Sequence, residues 1–164
     1  MKKLVIFFAA ILFFADAFAQ ADTSKCADEI NQQVWKPFIT HITSGNNEGF
    51  RSLHSKRVTR VEIDRNIVQD FEKYLPVKPN RKPVKNGGFL FELRFDKRIC
   101  NGTKAWETGY YKGTILGEGK APSSYYGRFF VVLEKEEEGW KILVDADTSK
   151  GVTEDNFNSA SPME

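Results

Sequence analysis

The segment from Trp106 to Thr148 constrains the fold most, because apolar and polar side chains alternate along it and turn residues interrupt it. Residues 125–133 are rich in aromatic and β-branched side chains, and residues 140–147 alternate strictly. Alternation with a period of two is typical of strands that bury one face. Asn101-Gly102 is a strong hairpin signal, and residues 136–139 supply a second, charged turn. We therefore predict an antiparallel sheet in this half of the chain.

The two turns also predict which residues face one another across the hairpins. A two-residue turn at Asn101-Gly102 and a turn centred on Glu137 and Glu138 give each hairpin a definite register. The pairs predicted in this way are Phe95 with Thr108, Leu93 with Tyr110, Asp96 with Glu107, Arg94 with Gly109, Arg128 with Asp147 and Phe130 with Asp145. A slip of one residue in either register would exchange the faces of the strand beyond it.

Helical periodicity precedes the sheet. Apolar residues recur every four positions from Ser24 to Thr43, which predicts a helix that ends at Ser44-Gly45-Asn46. A short second helix is predicted near residues 47–54, and residues 57–63 alternate as a strand does. Asp64 is predicted to cap a third helix that runs to Leu75. Helices followed by long antiparallel strands predict an α+β fold.

Three segments carry a resemblance to a known family. They are WKPFITHITSGNNEGFRSLHSKRVTRV at 35–61, WETGYYKGT at 106–114 and YYGRFFVVLEKEEEGWKILVDADTS at 125–149. These segments resemble the nuclear transport factor 2-like superfamily, above all its SnoaL-like and domain-of-unknown-function branches in exported bacterial proteins. The resemblance covers residues 29–148. It implies a cone-shaped fold in which a strongly curved, mainly antiparallel sheet wraps around three N-terminal helices and encloses a pocket.

Residues 1–19 predict a signal peptide. Lys2 and Lys3 precede an apolar run too short to span a bilayer, and Ala17-Phe18-Ala19 fits the small-x-small cleavage rule. Cleavage after Ala19 predicts a periplasmic or secreted protein without membrane contact, and an uncleaved anchor is the alternative. Residues 20–148 then form the nuclear transport factor 2-like domain, and residues 149–164 form a polar C-terminal tail that is expected to fray.

The cysteines and the charge limit the chemistry. Cys26 and Cys100 can form a disulfide in an oxidising compartment, and two buried free thiols are the alternative. Together with two separated histidines they match no zinc pattern, and the chain lacks a nucleotide-binding loop and a G-x-S-x-G nucleophile motif. We therefore expect neither a metal nor a cofactor. The formal net charge of +2 gives no electrostatic reason to expect a nucleic-acid partner.

Both predicted hairpins place polar side chains on one face of the sheet, and this face is the candidate site. Its residues are Arg94, Asp96, Glu107, Tyr126, Arg128, Asp145 and Asp147. Arg60 and His54 are expected near the mouth of the pocket, with Trp35 as an apolar wall. Arg94 and Arg128 favour an anionic or carbonyl-bearing ligand. The alternative is that the alternating charges form an ordinary solvated face.

Three hypotheses of function remain open. The first is a domain that binds a small molecule in the cone. The second is a cofactor-free isomerase, cyclase or dehydratase, with Asp145 or Glu107 as the base and Tyr126 as a hydrogen-bond donor. The third is a structural or dimerisation module whose cone is filled by side chains. The family hosts isomerases, cyclases and assembly domains, so the resemblance implies no single reaction. It also implies a homodimer formed through the outer face of the sheet.

Overall fold

The computed structural model describes residues 24–80, 88–117 and 119–163. The predicted signal peptide, residues 1–19, lies outside the described residues. The helices are α1, which comprises residues 24–30, a π-helical turn Asn31–Trp35 and the α-helical part Lys36–Ser44, then α2 (Asn47–Ser52), α3 (Phe71–Tyr74) and α4 (Glu154–Ser159). The strands are β1 (His54–Glu62), β2 (Ile67–Gln69), β3 (Gly88–Cys100), β4 (Lys104–Leu116), β5 (Ser123–Glu136), β6 (Gly139–Thr148) and β7 (Ser161–Pro162). None of the helices in these ranges is both long and apolar enough to cross a membrane.

The strands form one curved, unclosed sheet in the order β2-β1-β6-β5-β4-β3-β7. β1 runs parallel to β6, and the other neighbouring strands are antiparallel. The long helix α1 packs on one face of this sheet, called the inner face below. The predicted α+β class and the curved, mainly antiparallel sheet are confirmed.

The sequence of helix α1 accounts for its π-helical turn and for its end. Pro37 has no backbone N–H and cannot continue the regular hydrogen-bond ladder, and the wider π-helical turn Asn31–Trp35 ends two residues before it. The helix ends at Gly45, which adopts the left-handed conformation at φ 71°. The predicted end of the first helix is therefore confirmed.

The predicted third helix is wrong over most of its length. Asn66 adopts a left-handed conformation at φ 53°, which ends a short 3₁₀ turn, and Ile67 then begins the edge strand β2. Asp70, not Asp64, caps the remaining helix α3 by accepting a hydrogen bond from the backbone N–H of Lys73 at 3.0 Å. The β-branched pair Ile67-Val68 fits a strand better than a helix, and pairing with β1 decides the outcome.

The expectation of a frayed C-terminal tail is also wrong. Thr153 and Asn156 form a reciprocal capping box at the start of α4, which satisfies two otherwise free backbone donors. Phe157 of α4 is 3% exposed, so this short helix is anchored by burial of an aromatic ring. Ser161 and Pro162 then pair with Phe95 and Arg94 of β3. The segment is polar overall, but the buried ring of Phe157 and the helix cap at Thr153 are sufficient to order it.

A β-bulge changes the register of the first hairpin. The turn spans Asn101 to Lys104, because the Asn101 side chain accepts hydrogen bonds from the backbone N–H groups of Thr103 and Lys104 at 3.1 and 2.8 Å. Arg98 therefore lies opposite Glu107, where the prediction placed Asp96. The register shifts once more between Phe95 and Lys97, so Asp96 forms a bulge with no residue opposite it on β4. The predicted pairs of this hairpin are wrong.

A second bulge divides β6. The turn lies where it was predicted, with Glu136 opposite Gly139. The register then shifts at Leu143, so that Val131 lies opposite Asp145 and Phe129 opposite Asp147. The predicted pairs Phe130 with Asp145 and Arg128 with Asp147 are therefore each displaced by one residue. One extra residue in a strand reverses the direction of every side chain beyond it.

The core lies between α1 and the inner face. Ile30, Val34 and Trp35 of α1 form one buried cluster with sheet residues that include Leu133 and Ile142. Burial of a side chain of this size contributes about 1.5–3 kcal/mol each. A disulfide between Cys26 and Cys100, with Cα atoms 6.3 Å apart, joins the start of α1 to the end of β3.

Candidate functional site

A cavity of about 200 Å³ lies beside this core, between α1, α2 and the inner face. Its walls are mostly aromatic and aliphatic, and its polar groups are gathered at one end. The apolar lining consists of Trp35, Phe38, Ile42, Phe50, Phe91, Leu93, Tyr125, Phe129, Val131 and Ile142. The polar end, as the term is used below, consists of Arg60, Tyr74, Tyr111, Asp145 and Asp147. Apolar walls with a few convergent polar groups are the usual form of a ligand site.

Arg60 holds the two aspartates of the polar end together. Its Nη1 donates to Asp145 Oδ1 at 3.1 Å, and its Nη2 donates to Asp147 Oδ1 at 2.6 Å. The two carboxylates reach the cavity because the bulge at Leu143 turns this part of β6 inward. Side-chain exposures of 12% for Asp145 and 24% for Asp147 leave Asp147 the more accessible carboxylate.

Two tyrosines complete the hydrogen bonds of the polar end. The Tyr74 hydroxyl donates a hydrogen bond to Asp145 Oδ2 at 2.6 Å, and the Tyr111 hydroxyl donates one to Asp147 Oδ2 at 3.1 Å. Burial first, and then the neighbouring carboxylates, raise the pKa of both phenols above the usual value. Both hydroxyl groups therefore remain protonated donors throughout the physiological pH range.

The two aspartates differ in their proton affinity. Burial disfavours the charged form of Asp145, but its interactions with His54, Arg60 and Tyr74 outweigh this effect and lower its pKa. Burial raises the pKa of Asp147, and the charge of Asp145 adds to this while Arg60 opposes it. The polar end thus contains one firmly ionised carboxylate and one that holds its proton more strongly than an ordinary aspartate.

His54 lies behind the polar end and is buried. Its Nδ1 lies 2.9 Å from the carbonyl oxygen of Phe50, which requires Nδ1 to carry a proton. Its Nε2 points to Asp145 Oδ2 at 3.6 Å, outside hydrogen-bond distance. His54 therefore supports Asp145 from behind and does not line the cavity.

A tyrosine–glycine contact sets the shape of the aromatic wall. Tyr111 lies across Gly127 of the neighbouring strand, where an added Cβ would meet the ring at 2.1 Å. Tyr111 also stacks against Phe91, with ring centroids 5.5 Å apart. The small residue leaves room for a ring flat against the sheet, and the hydroxyl of Tyr111 thereby reaches Asp147.

Glu107 faces the same side of the sheet but lies outside the cavity. Its carboxylate accepts hydrogen bonds from Trp35 Nε1 at 2.6 Å and from Arg98 Nε at 2.8 Å, and it is 1% exposed. Arg98 also donates to Asn31 Oδ1 at 2.9 Å in the π-helical turn. Burial raises the pKa of Glu107, although Arg98 and Trp35 oppose the shift. We call these residues the Glu107 cluster.

The single polar face predicted from the sequence is wrong, because four of its members lie on the outer face, namely Arg94, Asp96, Tyr126 and Arg128. Arg94 donates to the carbonyl oxygen of Ala160 at 3.3 Å, and the Tyr126 ring lies 6.0 Å from the Phe157 ring of α4. Arg128 pairs with Asp96 at 2.8 Å on the same outer side. None of Arg94, Tyr126 and Arg128 lines the cavity. The reason is the pair of bulges, which the alternation pattern does not reveal.

The predicted site is therefore brought together only in part. Arg60, Trp35, Asp145 and Asp147 line the cavity, and His54 supports it from behind. The predicted acid–base set of Asp145, Glu107 and Tyr126 is not assembled. Tyr74 was missed, because the prediction placed it in a long helix. The left-handed preference of Asn66 followed by two β-branched residues is the signal that could have separated α3 from that helix.

A shallow outer groove continues from the polar end. Its lining consists of Arg60, Glu62, Asp64, Arg65, Tyr111, Asp147 and Ser149. Arg60, Tyr111 and Asp147 belong to both the cavity and the groove, so they separate the two spaces. Across the described ranges, no cluster of three or more His, Cys, Asp or Glu side chains is arranged to hold a metal ion.

Comparison with known proteins identifies the fold. An NTF2-like protein with a cystatin-like fold from Novosphingobium aromaticivorans is 11% identical, with a TM-score of 0.62 over 87% of this chain and 92% of that chain. A ketosteroid isomerase-like protein from Erwinia carotovora atroseptica is 12% identical, with a TM-score of 0.54 over 76% and 96%. The association domain of C. elegans CaMKII is 11% identical, with a TM-score of 0.56 over 79% and 97%. No protein-family model matches the chain, and no curated protein matches it in sequence.

These similarities define the class to which the fold belongs. The chain has the nuclear transport factor 2-like fold that the resemblance implies, with a pocket-containing domain built on a curved sheet. At this level of identity the comparisons concern the fold and not the reaction.

Proposed function

We propose that this protein binds a small, mainly apolar molecule in the cavity between α1, α2 and the inner face. The observation that carries the proposal is the form of the cavity, which has aromatic walls and a compact polar end at Asp147. A filled cone would leave no such space, so the cavity favours binding over the purely structural hypothesis. Its volume of about 200 Å³ is below the usual range for drug-sized ligands, which favours a ligand with one or two rings.

The polar end does not support the anionic ligand expected from the sequence. Arg94 and Arg128 lie on the outer face, and Arg60 is already engaged by two carboxylates. An added carboxylate at Asp147 would meet like charge without a free guanidinium. The proposed ligand is therefore an apolar molecule without an anionic group.

A pair of variants on one strand tests the proposal. Val131 lines the cavity, and its neighbour Val132 points to the outer face. We expect Val131→Phe to fill the cavity and to weaken binding of phenol and indole at least about tenfold, while Val132→Phe leaves it unchanged. Ligand-observed NMR with thermal melts of each variant checks both affinity and folding. Equal binding by both variants, or no binding of either probe to the wild type, would contradict the proposal.

We also propose that two copies associate through the outer face. Ile99, Trp106, Val132 and Val144 form a row of apolar side chains across four strands on this face, and Trp106 is 40% exposed. The fold similarity to the CaMKII association domain supports self-association. We expect Trp106→Lys to convert a dimer to a monomer in sedimentation equilibrium. Val77→Lys, at an exposed position outside the sheet, is the matched control, and a monomeric wild type would refute the proposal.

Export to an oxidising compartment is a further part of the proposal. The signal-peptide pattern of residues 1–19 supports it, and so does the disulfide between Cys26 and Cys100. We expect the full chain expressed in a Gram-negative host to yield a periplasmic product that begins at Gln20. Mass spectrometry of fractionated cells measures this, and an unprocessed cytoplasmic product would contradict it.

A further inference from the structure

We infer that the ligand of the cavity is a small cationic amine, bound with its ammonium group at Asp147 and its apolar body against the aromatic walls. This inference rests on the proposed function, namely that the cavity binds a small molecule. It adds the chemical class of that molecule and the residue that recognises it.

The hydrogen bonds of the polar end leave acceptors unused. The hydroxyl groups of Tyr74 and Tyr111 already donate hydrogen bonds to Asp145 and Asp147, and Arg60 donates hydrogen bonds to both carboxylates. Each oxygen of Asp147 accepts one described bond, whereas an ionised carboxylate offers about four acceptor sites. A ligand that donates hydrogen bonds therefore fits this end, and a ligand that only accepts does not.

The charges around the polar end point to a cation. Within the described residues, the cavity and the outer groove are lined by four carboxylates and two guanidinium groups, a formal excess of two negative charges. These groups are Glu62, Asp64, Asp145, Asp147, Arg60 and Arg65. Four hydrogen bonds from residues 148–150 lower the pKa of Asp64 to about 2, which keeps it ionised. A field of this sign attracts cations and repels anions.

The aromatic wall next to Asp147 suits an ammonium group as well as an apolar body. The negative face of an aromatic ring attracts cations, and the attraction grows when water is excluded. Arg60 already places its guanidinium 5.3 Å from the centroid of Tyr74, so this end of the cavity accommodates a cation over a ring. Tyr111 and Phe91 present a stacked surface that leads from the apolar walls to Asp147.

The affinity for an amine should fall as the pH is lowered. The charged and titratable groups that face Asp147 are Arg60 and Glu62 from β1, Tyr111 from β4 and Asp145 on its own strand, with Tyr74 and His54 beyond Asp145. Asp64 and Arg65 line the outer groove beside it. Protonation of Asp147 removes the charge that recognises the ammonium, and its raised pKa moves this loss to higher pH.

Three probes of matched size test the inference. Benzylammonium, benzyl alcohol and benzoate differ mainly in charge at one end of a single ring. We expect isothermal titration calorimetry to give an affinity for benzylammonium at least about tenfold above that for benzyl alcohol, with benzoate the weakest. Asp147→Asn keeps the size and an acceptor oxygen, and it should bring the first two probes within about twofold of each other. Glu92→Gln removes an exposed outer-face carboxylate and is the matched control.

The outcomes separate this inference from the proposed function. If benzyl alcohol or benzoate binds as tightly as benzylammonium, the cationic class is refuted while binding in the cavity stands. If Asp147→Asn keeps the preference while its melting temperature is unchanged, recognition by Asp147 is refuted. If none of the three probes binds to the wild-type protein, both this inference and the proposed function fail.

Discussion

The Glu107 cluster and the polar end of the cavity are built from the same parts but differ in access. Each has a carboxylate on the inner face, a guanidinium that pairs with it and an aromatic side chain that donates a hydrogen bond to it. In the first, Trp35 and Arg98 enclose Glu107, which is 1% exposed. In the second, Arg60 and Tyr111 hold Asp147, whose side chain is 24% exposed.

The cover above each carboxylate accounts for the difference. Helix α1 lies directly over Glu107, where the π-helical turn provides Trp35 and Asn31, and the disulfide holds the helix in place. Among the described residues, no helix covers Asp147 in this way, because the cavity separates it from α1 and α2. Similar local chemistry therefore acts as structural support in one place and as a candidate binding site in the other.

Removal of the disulfide should have the largest effect, because it loosens the cover of the Glu107 cluster. The bond closes a loop between residues 74 positions apart, and loss of such a link costs about 4 kcal/mol on the chain-entropy model. We expect Cys26→Ser with Cys100→Ser to lower the free energy of unfolding in urea by this amount. Chemical reduction of the wild type is the control, and a loss below about 1 kcal/mol in both would contradict the structural role.

Glu107→Ala should have the next largest effect. It leaves Arg98 and the indole N–H of Trp35 without their acceptor, and removal of one partner of a buried pair costs about 3 kcal/mol or more. Urea denaturation measures the loss. Glu134→Ala, which breaks exposed pairs with Arg57 and Lys104, is the control and should cost far less, because solvent screens exposed ion pairs. Similar losses in the two variants would show that Glu107 is not structurally special.

Asp147→Ala should be milder and would sharpen the comparison. Arg60 keeps its pairing with Asp145, and the Tyr111 hydroxyl can turn to water in the cavity. We expect a loss of about 1 kcal/mol in the free energy of unfolding by urea, together with the loss of amine preference. A loss as large as that of Glu107→Ala would mean that the polar end is as structural as the Glu107 cluster.

The smallest expected effect is on the pH dependence of stability, which distinguishes the carboxylates with a raised pKa from the one with a lowered pKa. The folded-state pKa values of Glu107 and Asp147 are raised, so the wild type loses stability as the pH rises from the ordinary carboxyl value toward the folded value. We expect the stability of Glu107→Gln and of Asp147→Asn, measured relative to the wild type, to increase as the pH rises above the ordinary carboxyl value of about 4. Urea denaturation across this range measures the trend.

For Asp145, stability should change with pH in the opposite direction, and this difference provides the internal control. Its folded-state pKa is lowered, so its charge contributes stability above the unfolded value that is lost as the pH falls through the folded value. Asp145→Asn should therefore lose stability relative to the wild type as the pH rises through the acidic range. The same sign for all three variants would contradict the assigned pKa directions.

Much of the fold could be predicted from local pattern. The alternation in β5 and the first part of β6 predicts their strands and the turn at Gly139, and the periodicity of α1 with Gly45 predicts its end. The α+β class follows from the order of these elements. The edge strand β2 and the anchored helix α4 were not predicted, because local signals such as Asn66 are weak and the outcome depends on pairing with β1 and on burial of Phe157.

The candidate site was predicted less well than the fold, for a definite physical reason. A face assignment propagates along a strand with a period of two, so one inserted residue reverses everything beyond it. Asp96 and Leu143 are the inserted residues of the two β-bulges. Their positions decide that Arg98, Asp145 and Asp147 point to the inner face.

The sequence by itself determined the types of elements, their order and the residues that carry charge, because propensity and periodicity are local properties. Only the tertiary structure decided which charges are enclosed, which line a cavity and which lie on the outer face. Those outcomes depend on strand register and on the helix that covers each part of the sheet. Both are set by contacts between residues far apart in the chain, such as Trp35 with Glu107 and Tyr74 with Asp145.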